Sequence, residues 1–400
     1  MSSPSKRGIP GNSRGKNCGC GATTAGTIWG TIFLIIGAVL FISSNSFLSD
    51  DLQLLQSREL QLLRVPVQQV SITDKADPGK YVPVVCPKVL EEVRRSSSDR
   101  ESDPNGGILY GKQVDIDPRF WISLHNAQFD HTRWSIMTHG HYYEKALSRA
   151  FVEVLQNATA GSRVLDVGGN IGYFSLLSAA NGPVTVDTFE PNSKNRLRMC
   201  ESLLLNHWHS EFDHHFYGDP THVSRVNLYP FGAGRNEGVF SFEEHNNPGQ
   251  GKFHEVGGVP ESTDLHVLTL DSFARERGWF ESRPDIAILK VDVEGMEYTV
   301  IEGAQELLQA HIVRNIFMEV SARNKKEKEI NKPALLALHE AGYKLHKVGG
   351  WMGPSRDFDS PQDADIADTI MRLTVQERVK QLNLWWTLGE STQMSRKLAK

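Results

Sequence analysis

From residue 139 onward the apolar positions change period in a regular order. HGHYYEKALSRAFVEVL, residues 139–155, carries its apolar residues at helical spacing. Short apolar or β-branched runs then alternate with helical stretches. The runs predict strands at 163–167, 184–190, 226–231, 266–270, 285–292, 312–319 and 343–348. The intervening stretches predict helices at 171–180, 193–206, 297–309 and 333–341. Residues 239–242 read as the start of a hairpin, and 369–373 as an antiparallel edge strand. Leu382-Asn383-Leu384-Trp385-Trp386 reads as an apolar plug on the domain. Strand and helix in turn imply an α/β fold: a Rossmann-like, mostly parallel, doubly wound sheet. Ligands of such sheets bind outside the carboxyl ends of the strands.

The N-terminal part follows a different pattern. No charge occurs from Asn17 to Ser49, and TIWGTIFLIIGAVLFI fills the middle of that stretch. Extended to 25–46, it is long enough for a transmembrane helix. Lys6, Arg7, Arg14 and Lys16 precede it, and Asp50 and Asp51 follow it. That asymmetry puts residues 1–24 in the cytosol and everything after the span on the far side. The polar lead is long for a cleaved signal peptide, so an uncleaved signal anchor is the reading. Residues 50–70 are leucine-rich but have too few clean heptads for a coiled coil. Residues 71–108 carry Pro, Ser and mixed charge, which predicts an unstructured stem. The expected organisation is therefore tail 1–24, anchor 25–46, stem 47–107, catalytic domain 108–350 and a packed extension 351–400.

Composition adds limits rather than identity. A net charge of −5 gives no electrostatic reason to expect nucleic acid. Cys18 and Cys20 sit beside the anchor, as palmitoylated residues or as plain thiols in the tail. Cys86 and Cys200 fall on the far side, where a disulfide is chemically allowed. Nothing in the sequence joins them, and two separate buried thiols are the expectation. Asn157-Ala158-Thr159 is a glycosylation sequon, open to use or to burial between helix and strand.

Three segments carry chemistry. In Val164-Leu165-Asp166-Val167-Gly168-Gly169-Asn170-Ile171-Gly172 a strand runs into a glycine loop and a helix. Gly168, Gly169 and Gly172 have no Cβ, so a ligand can lie against the backbone, and Asn170 joins them as a cofactor-binding residue of the loop. The spacing is not G-x-G-x-x-G, and Asp166 beside the loop repels phosphate while suiting a cationic amino-acid end. That favours S-adenosylmethionine over a nicotinamide dinucleotide. Glu190 follows Asp166 by 24 residues at the next strand end, where an acid accepts ribose hydroxyls. In Lys290-Val291-Asp292-Val293-Glu294-Gly295-Met296-Glu297 a buried strand ends in acids spaced two apart. While the chain stays extended, Lys290, Asp292 and Glu294 share a face. Lys290 either pairs with Asp292 or enters the chemistry. Glu297 in a first helical turn suits the helix dipole. Asp292 or Glu294 could take a hydroxyl proton, and Asp292 also lies where a cofactor would. His141 and His254 are the imidazole candidates. No metal site is expected; a metal-assisted version would use the oxygen-only set Asp292, Glu294 and Glu319.

DVGGNIGYFSL, FEPN and above all LKVDVEGMEYTVIEGAQELL resemble the FkbM-type methyltransferases, with support from HYYEKALSRAFVEVL, VLTLDSF and FMEV. The resemblance runs from about residue 142 to 348. It implies a class I methyltransferase fold with an antiparallel edge strand, S-adenosylmethionine as cofactor, and methyl transfer to oxygen. Gly169 stands where the family often has Ala, and the anchor and stem lie outside the family domain. The expected function is a type II membrane O-methyltransferase of the Golgi or endoplasmic reticulum, with a lumenal catalytic domain. Its acceptor would be a glycan, glycolipid or small-molecule hydroxyl. A NAD(P)-dependent oxidoreductase and a non-catalytic membrane-tethered binding protein are the alternatives.

Overall fold

The structure, a computed structural model, describes residues 80–96, 111–113, 118–125, 132, 135–136, 143–209, 224–244, 251–255, 265–320, 324–347 and 382–389. All of them fall in one unit, Asp77–Lys400. The anchor, residues 50–70, His141 and residues 369–373 lie outside the described residues. Among the described residues no helix is long and apolar enough to cross a membrane.

The chain opens with helix α1 (Cys86–Ser96) and a two-stranded ribbon, β1 (Gly111–Gln113) with β2 (Trp121–Ser123). Then come α2 (Lys145–Gln156), β3 (Arg163–Val167), α3 (Tyr173–Ala180), β4 (Thr185–Phe189), α4 (Ser193–Asn206) and β5 (Arg225–Tyr229). A second, four-stranded sheet follows: β6 (Gly232–Ala233), β7 (Gly238–Glu244), β8 (Gly251–Glu255) and β9 (Leu265–Leu268). The chain returns through α5 (Leu270–Glu276), α6 (Trp279–Ser282), β10 (Ile286–Val291), α7 (Glu297–Glu302) and α8 (Gln305–Gln309). It ends in β11 (Val313–Val320), α9 (Lys325–Glu340), β12 (Tyr343–Lys347) and β13 (Leu382–Leu388).

The central sheet has the order β12-β13-β11-β10-β3-β4-β5. All pairs from β11 to β5 are parallel, and β13 runs antiparallel to both of its neighbours. Strand order reverses between β3 and β10, which opens a crevice at their carboxyl ends. Buried side chains pack on both faces. Leu165, Val167, Leu289 and Val291 join the α5–α9 side, while Val164, Ile288 and Phe317 join the α2–α4 side.

Several expectations need correction. The antiparallel strand is β13, not an edge strand, because β12 covers it. Its residues alternate in burial along LNLWWTL, and adjacent Trp385 and Trp386 hide the period because each meets a covered face. Trp385 stacks on Phe317 with centroids 5.5 Å apart, so residues 382–388 belong to the domain rather than to an extension. The helix expected at 297–309 is two helices. A Cβ at Gly303 would sit 2.0 Å from the Gly234 carbonyl oxygen, so the second sheet abuts the chain there. Helix α9 begins well before Pro333. Asn324 caps it by accepting from Glu327 N at 3.0 Å, and the bond that proline deletes would have ended on exposed Glu329.

The expected stem holds structure as well. Helix α1 falls inside it, Val84 N donates to Leu228 O at the β5 edge (2.6 Å), and Tyr81 is buried in the core. Cys86 and Cys200 form a disulfide across 114 residues, where separate thiols were expected. Only the folded sheet brings such distant positions together. Replacing both cysteines by serine is expected to cost about 2–4 kcal/mol. Urea unfolding of the variant against the oxidised protein measures it; equal midpoints would deny the bridge a stabilising role.

Candidate active site

Register places the functional residues in one row. Val167 of β3 pairs with Phe189 of β4 and with Val291 of β10, and Val291 pairs with Met318 of β11. The next residue on each strand is Gly168, Glu190, Asp292 and Glu319. The four strands therefore deliver a loop glycine and three acids to a common rim. Gly168, Gly169, Asn170, Glu190, Asp292 and Glu294 all line the resulting cleft, with Tyr143 and Lys290. A second hollow of about 510 Å³ adjoins it and shares Gly168, Pro191 and Val293.

The glycine loop is held by Phe189, whose carbonyl accepts from Gly168 N (3.0 Å) and Gly169 N (3.1 Å). Gly168 has φ of +82°, and a Cβ on it would lie 1.8 Å from the Asp292 carbonyl oxygen. Glycine at 169 also fits this chain, since a Cβ would approach Thr188 Cγ2 to 2.3 Å. Gly172 caps α3.

Asp166 does not line the cleft, contrary to the reading of its position in the sequence. Pleating puts it on the same sheet face as Val164, beneath helix α3. There Ser175 Oγ donates to Asp166 Oδ2 at 2.6 Å. Its other oxygen has no hydrogen bond among the described residues and faces Lys290 Nζ at 3.8 Å. Burial raises its pKa, opposed by Lys290 and Ser175. Lys290 is paired with Asp292 Oδ2 at 3.0 Å, and its ammonium lies 4.8 Å from the Phe174 ring centroid. Burial alone would push Lys290 down; Asp292 and Asp166 outweigh it and hold the ammonium above its ordinary pKa.

Glu190 is buried, and its oxygens accept from Asn170 N (2.7 Å) and Asn192 N (2.8 Å). Asn195 Nδ2 adds a longer bond at 3.4 Å. Desolvation pushes Glu190 up to about 7 against these donors. Oε1 takes both Asn192 N and Asn195 Nδ2, whereas Oε2 takes only Asn170 N and keeps a lone pair for a ligand.

The expected extended face of Asp292 and Glu294 is not how they meet. The chain turns after Val291, with Glu294 at φ +56° and Gly295 at φ +97°. Glu297 closes that turn: its Oε1 accepts from Val293 N and Gly295 N, both at 3.0 Å, and the residue is buried. Desolvation first, then Asp292, pushes Glu297 up to about 7. Partial desolvation, then Asp292 and Glu297, pushes Glu294 up to about 7. Glu319 rises to about 9, through burial and then the charges of Asp292 and Glu144. Glu144 itself rises to about 7 through burial and Asp292. Sequence reasoning missed Glu144, which reads as one more polar residue at the start of an amphipathic helix. His254 falls on β8 in the second sheet, opposite Ser241, not on the rim. Among the described residues no group of three or more His, Cys, Asp or Glu could hold a metal ion, so Asp292, Glu294 and Glu319 are not arranged as ligands.

A glycine loop and a buried acid thus stand on successive parallel strands at the switch point of the sheet, the edge at which folds of this kind bind their ligands. Residues 166–345 match the model described as the Methyltransferase FkbM domain. Over those residues the chain is similar to the FkbM methyltransferases, a family whose methyl donor is S-adenosylmethionine. A comparison with curated proteins returns no match. Among solved structures, a Streptococcus mutans protein described as a SAM-dependent methyltransferase aligns at 10% identity and TM-score 0.34, over 70% of this chain. The chain spans 55% of the length of that protein. A SAM-dependent methyltransferase from Agrobacterium tumefaciens aligns at 9% identity and TM-score 0.35, covering 70% of this chain and 71% of its own. Fibrillarin from Aeropyrum pernix, with natively bound S-adenosyl-L-methionine, aligns at 8% identity and TM-score 0.29, covering 69% and 93%.

Proposed function

We propose that the protein is a membrane-anchored O-methyltransferase that uses S-adenosylmethionine to methylate a hydroxyl of a glycan or glycolipid. The rim row of Gly168, Glu190 and Asp292 carries this reading. The residues fit the donor: a backbone loop with no side chain in the way, a buried acid with a spare lone pair on Oε2, and an excess of carboxylates that suits a sulfonium. S-adenosylmethionine, when bound, supplies an electrophilic methyl carbon. Oε2 of Glu190 would accept from the ribose diol, and the Gly168–Asn170 backbone would let the ligand lie close. The adjoining hollow has room for the nucleoside end. Lys290 fixes the Asp292 carboxylate at the acceptor side. Glu294, pushed up to about 7 by desolvation and its acidic neighbours, would receive the proton of the acceptor hydroxyl. Asp292 and the carboxylate of Glu144 stand beside that path.

A lumenal position is supported by the charge asymmetry around residues 25–46 and by the Cys86–Cys200 bridge, since disulfides persist in oxidising compartments. Asn157 is exposed at the end of α2, so a glycan there meets no packing obstacle. The Golgi or endoplasmic reticulum is the proposed compartment.

Glu190→Gln turns an amide NH2 toward donors that need an acceptor. It is expected to weaken S-adenosylmethionine binding by about 1–3 kcal/mol, measured by calorimetry. Wild-type affinity in that variant would remove Glu190 from the site. For the acceptor, mass spectrometry of glycans and lipids with and without the gene should show a difference of one methyl group. A difference confined to other metabolites would redirect the acceptor class.

A further inference from the structure

Asn195 is buried at the start of α4 and works in two directions. Its Nδ2 donates to Glu190 Oε1 at 3.4 Å, and its Oδ1 meets His125 Nε2 at 2.9 Å. A carboxylate only accepts, so the amide turns its NH2 to Glu190 and its oxygen to His125. His125 Nε2 therefore carries the hydrogen and donates.

The placement of His125 is built in. Strand β2 runs antiparallel along α4, one rung after another. Trp121 N donates to Asn206 Oδ1 (2.8 Å), and Asn206 Nδ2 donates back to Trp121 O (2.7 Å). Ser123 N then donates to Ser202 Oγ (2.8 Å), and Ser123 Oγ to Glu201 Oε2 (2.5 Å). Two strand residues advance about 6.6 Å, close to the roughly 6 Å of four helix residues. Two residues past the end of β2 that progression brings His125 level with about Arg198, and its side chain reaches Asn195, a turn earlier on α4, at 2.9 Å. The Cys86–Cys200 bridge clamps the same helix. His125 lies outside residues 166–345, so the FkbM domain does not contain it.

We propose that His125 is a positioning residue: its Nε2–H sets the Asn195 amide, which steadies the Glu190 carboxylate for the ribose hydroxyls. The relay rests on the donor-binding reading of Glu190, and it makes the segment before the FkbM domain part of the cofactor site.

The experiment follows the Glu190 carboxyl by carbon-13 NMR against pH in the ligand-free protein, in wild type, His125→Gln and His125→Met. Gln keeps a donor at that place; Met keeps bulk without one. The expected result is an upward shift of the Glu190 midpoint in His125→Met and little change in His125→Gln. S-adenosylmethionine affinity should fall about three- to tenfold in the Met variant alone, the worth of one buried hydrogen bond. Should His125→Met fail to fold, Asn195→Leu is expected to give the same shift. An identical Glu190 midpoint in the Met and Gln variants would overturn the relay. A wild-type protein that binds no S-adenosylmethionine would overturn the donor reading, while the titration still decides the relay.

Discussion

Lys290→Met is expected to cost about 3–5 kcal/mol of stability, because it leaves a buried charge without its partner. The deeper contact decides the size. Asp166 and Lys290 side chains are 1% and 4% exposed, whereas Asp292 is 31% exposed and can turn to water. Asp166 also has one oxygen with no hydrogen bond among the described residues, so the ammonium is the main thing that opposes its burial. The loss should depend on pH in a definite direction. Burial already raises the folded pKa of Asp166, and losing Lys290 raises it further. The unfolded carboxyl titrates near about 3.9. A group raised on folding gives its full stability below the unfolded pKa and loses it as pH rises through the folded pKa. The variant should therefore lie closer to wild type at pH ~5 than at pH ~8. Urea unfolding at both values measures it. An equal deficit at both would mean that lost packing against Phe174, not the unpaired charge, sets the cost.

Gly168→Ala should be as damaging, for a reason that is steric. A side chain at φ +82° costs about 1–3 kcal/mol of backbone strain. Its Cβ would also overlap the Asp292 carbonyl oxygen at 1.8 Å, and overpacking of that kind costs about 1–3 kcal/mol more. The loop can escape only by leaving the end of β10. That would break the bond from Asp292 N to Val167 O (3.0 Å) and spread the rim. S-adenosylmethionine affinity is expected to fall more than about tenfold, the effect of 1.4 kcal/mol. Gly161→Ala is the control, with φ of +81° and nothing within 4 Å of its Cβ. It should show the backbone strain without the overlap. Equal thermal losses in the two variants would show that the loop accommodates the methyl group.

Much of this site was legible one strand at a time. Strands buried on both faces read as apolar runs, and a glycine loop or an acid at their ends reads as a ligand edge. Glu190 and Asp292 were found that way, and both reach the cleft. Asp166 misled because its position beside the loop says nothing of its face; alternation from Val164 turns it under α3. Glu144 and His125 carry no local mark at all, since each acquires its meaning from a partner on another element. Strand β13 was hidden by two adjacent tryptophans, and α1 by the charged and serine-rich text around it.

The chain alone set the strand–helix alternation, the glycine loop and the acids at the strand ends, because burial on a sheet or helix imposes a period that neighbours in sequence must obey. Only the folded molecule decided which acids share a cleft, that Lys290 faces both the cleft acid Asp292 and the buried Asp166, that Cys86 meets Cys200, and that His125 stands behind Asn195. Those are contacts between residues far apart in the chain, and no local period encodes a distance across space.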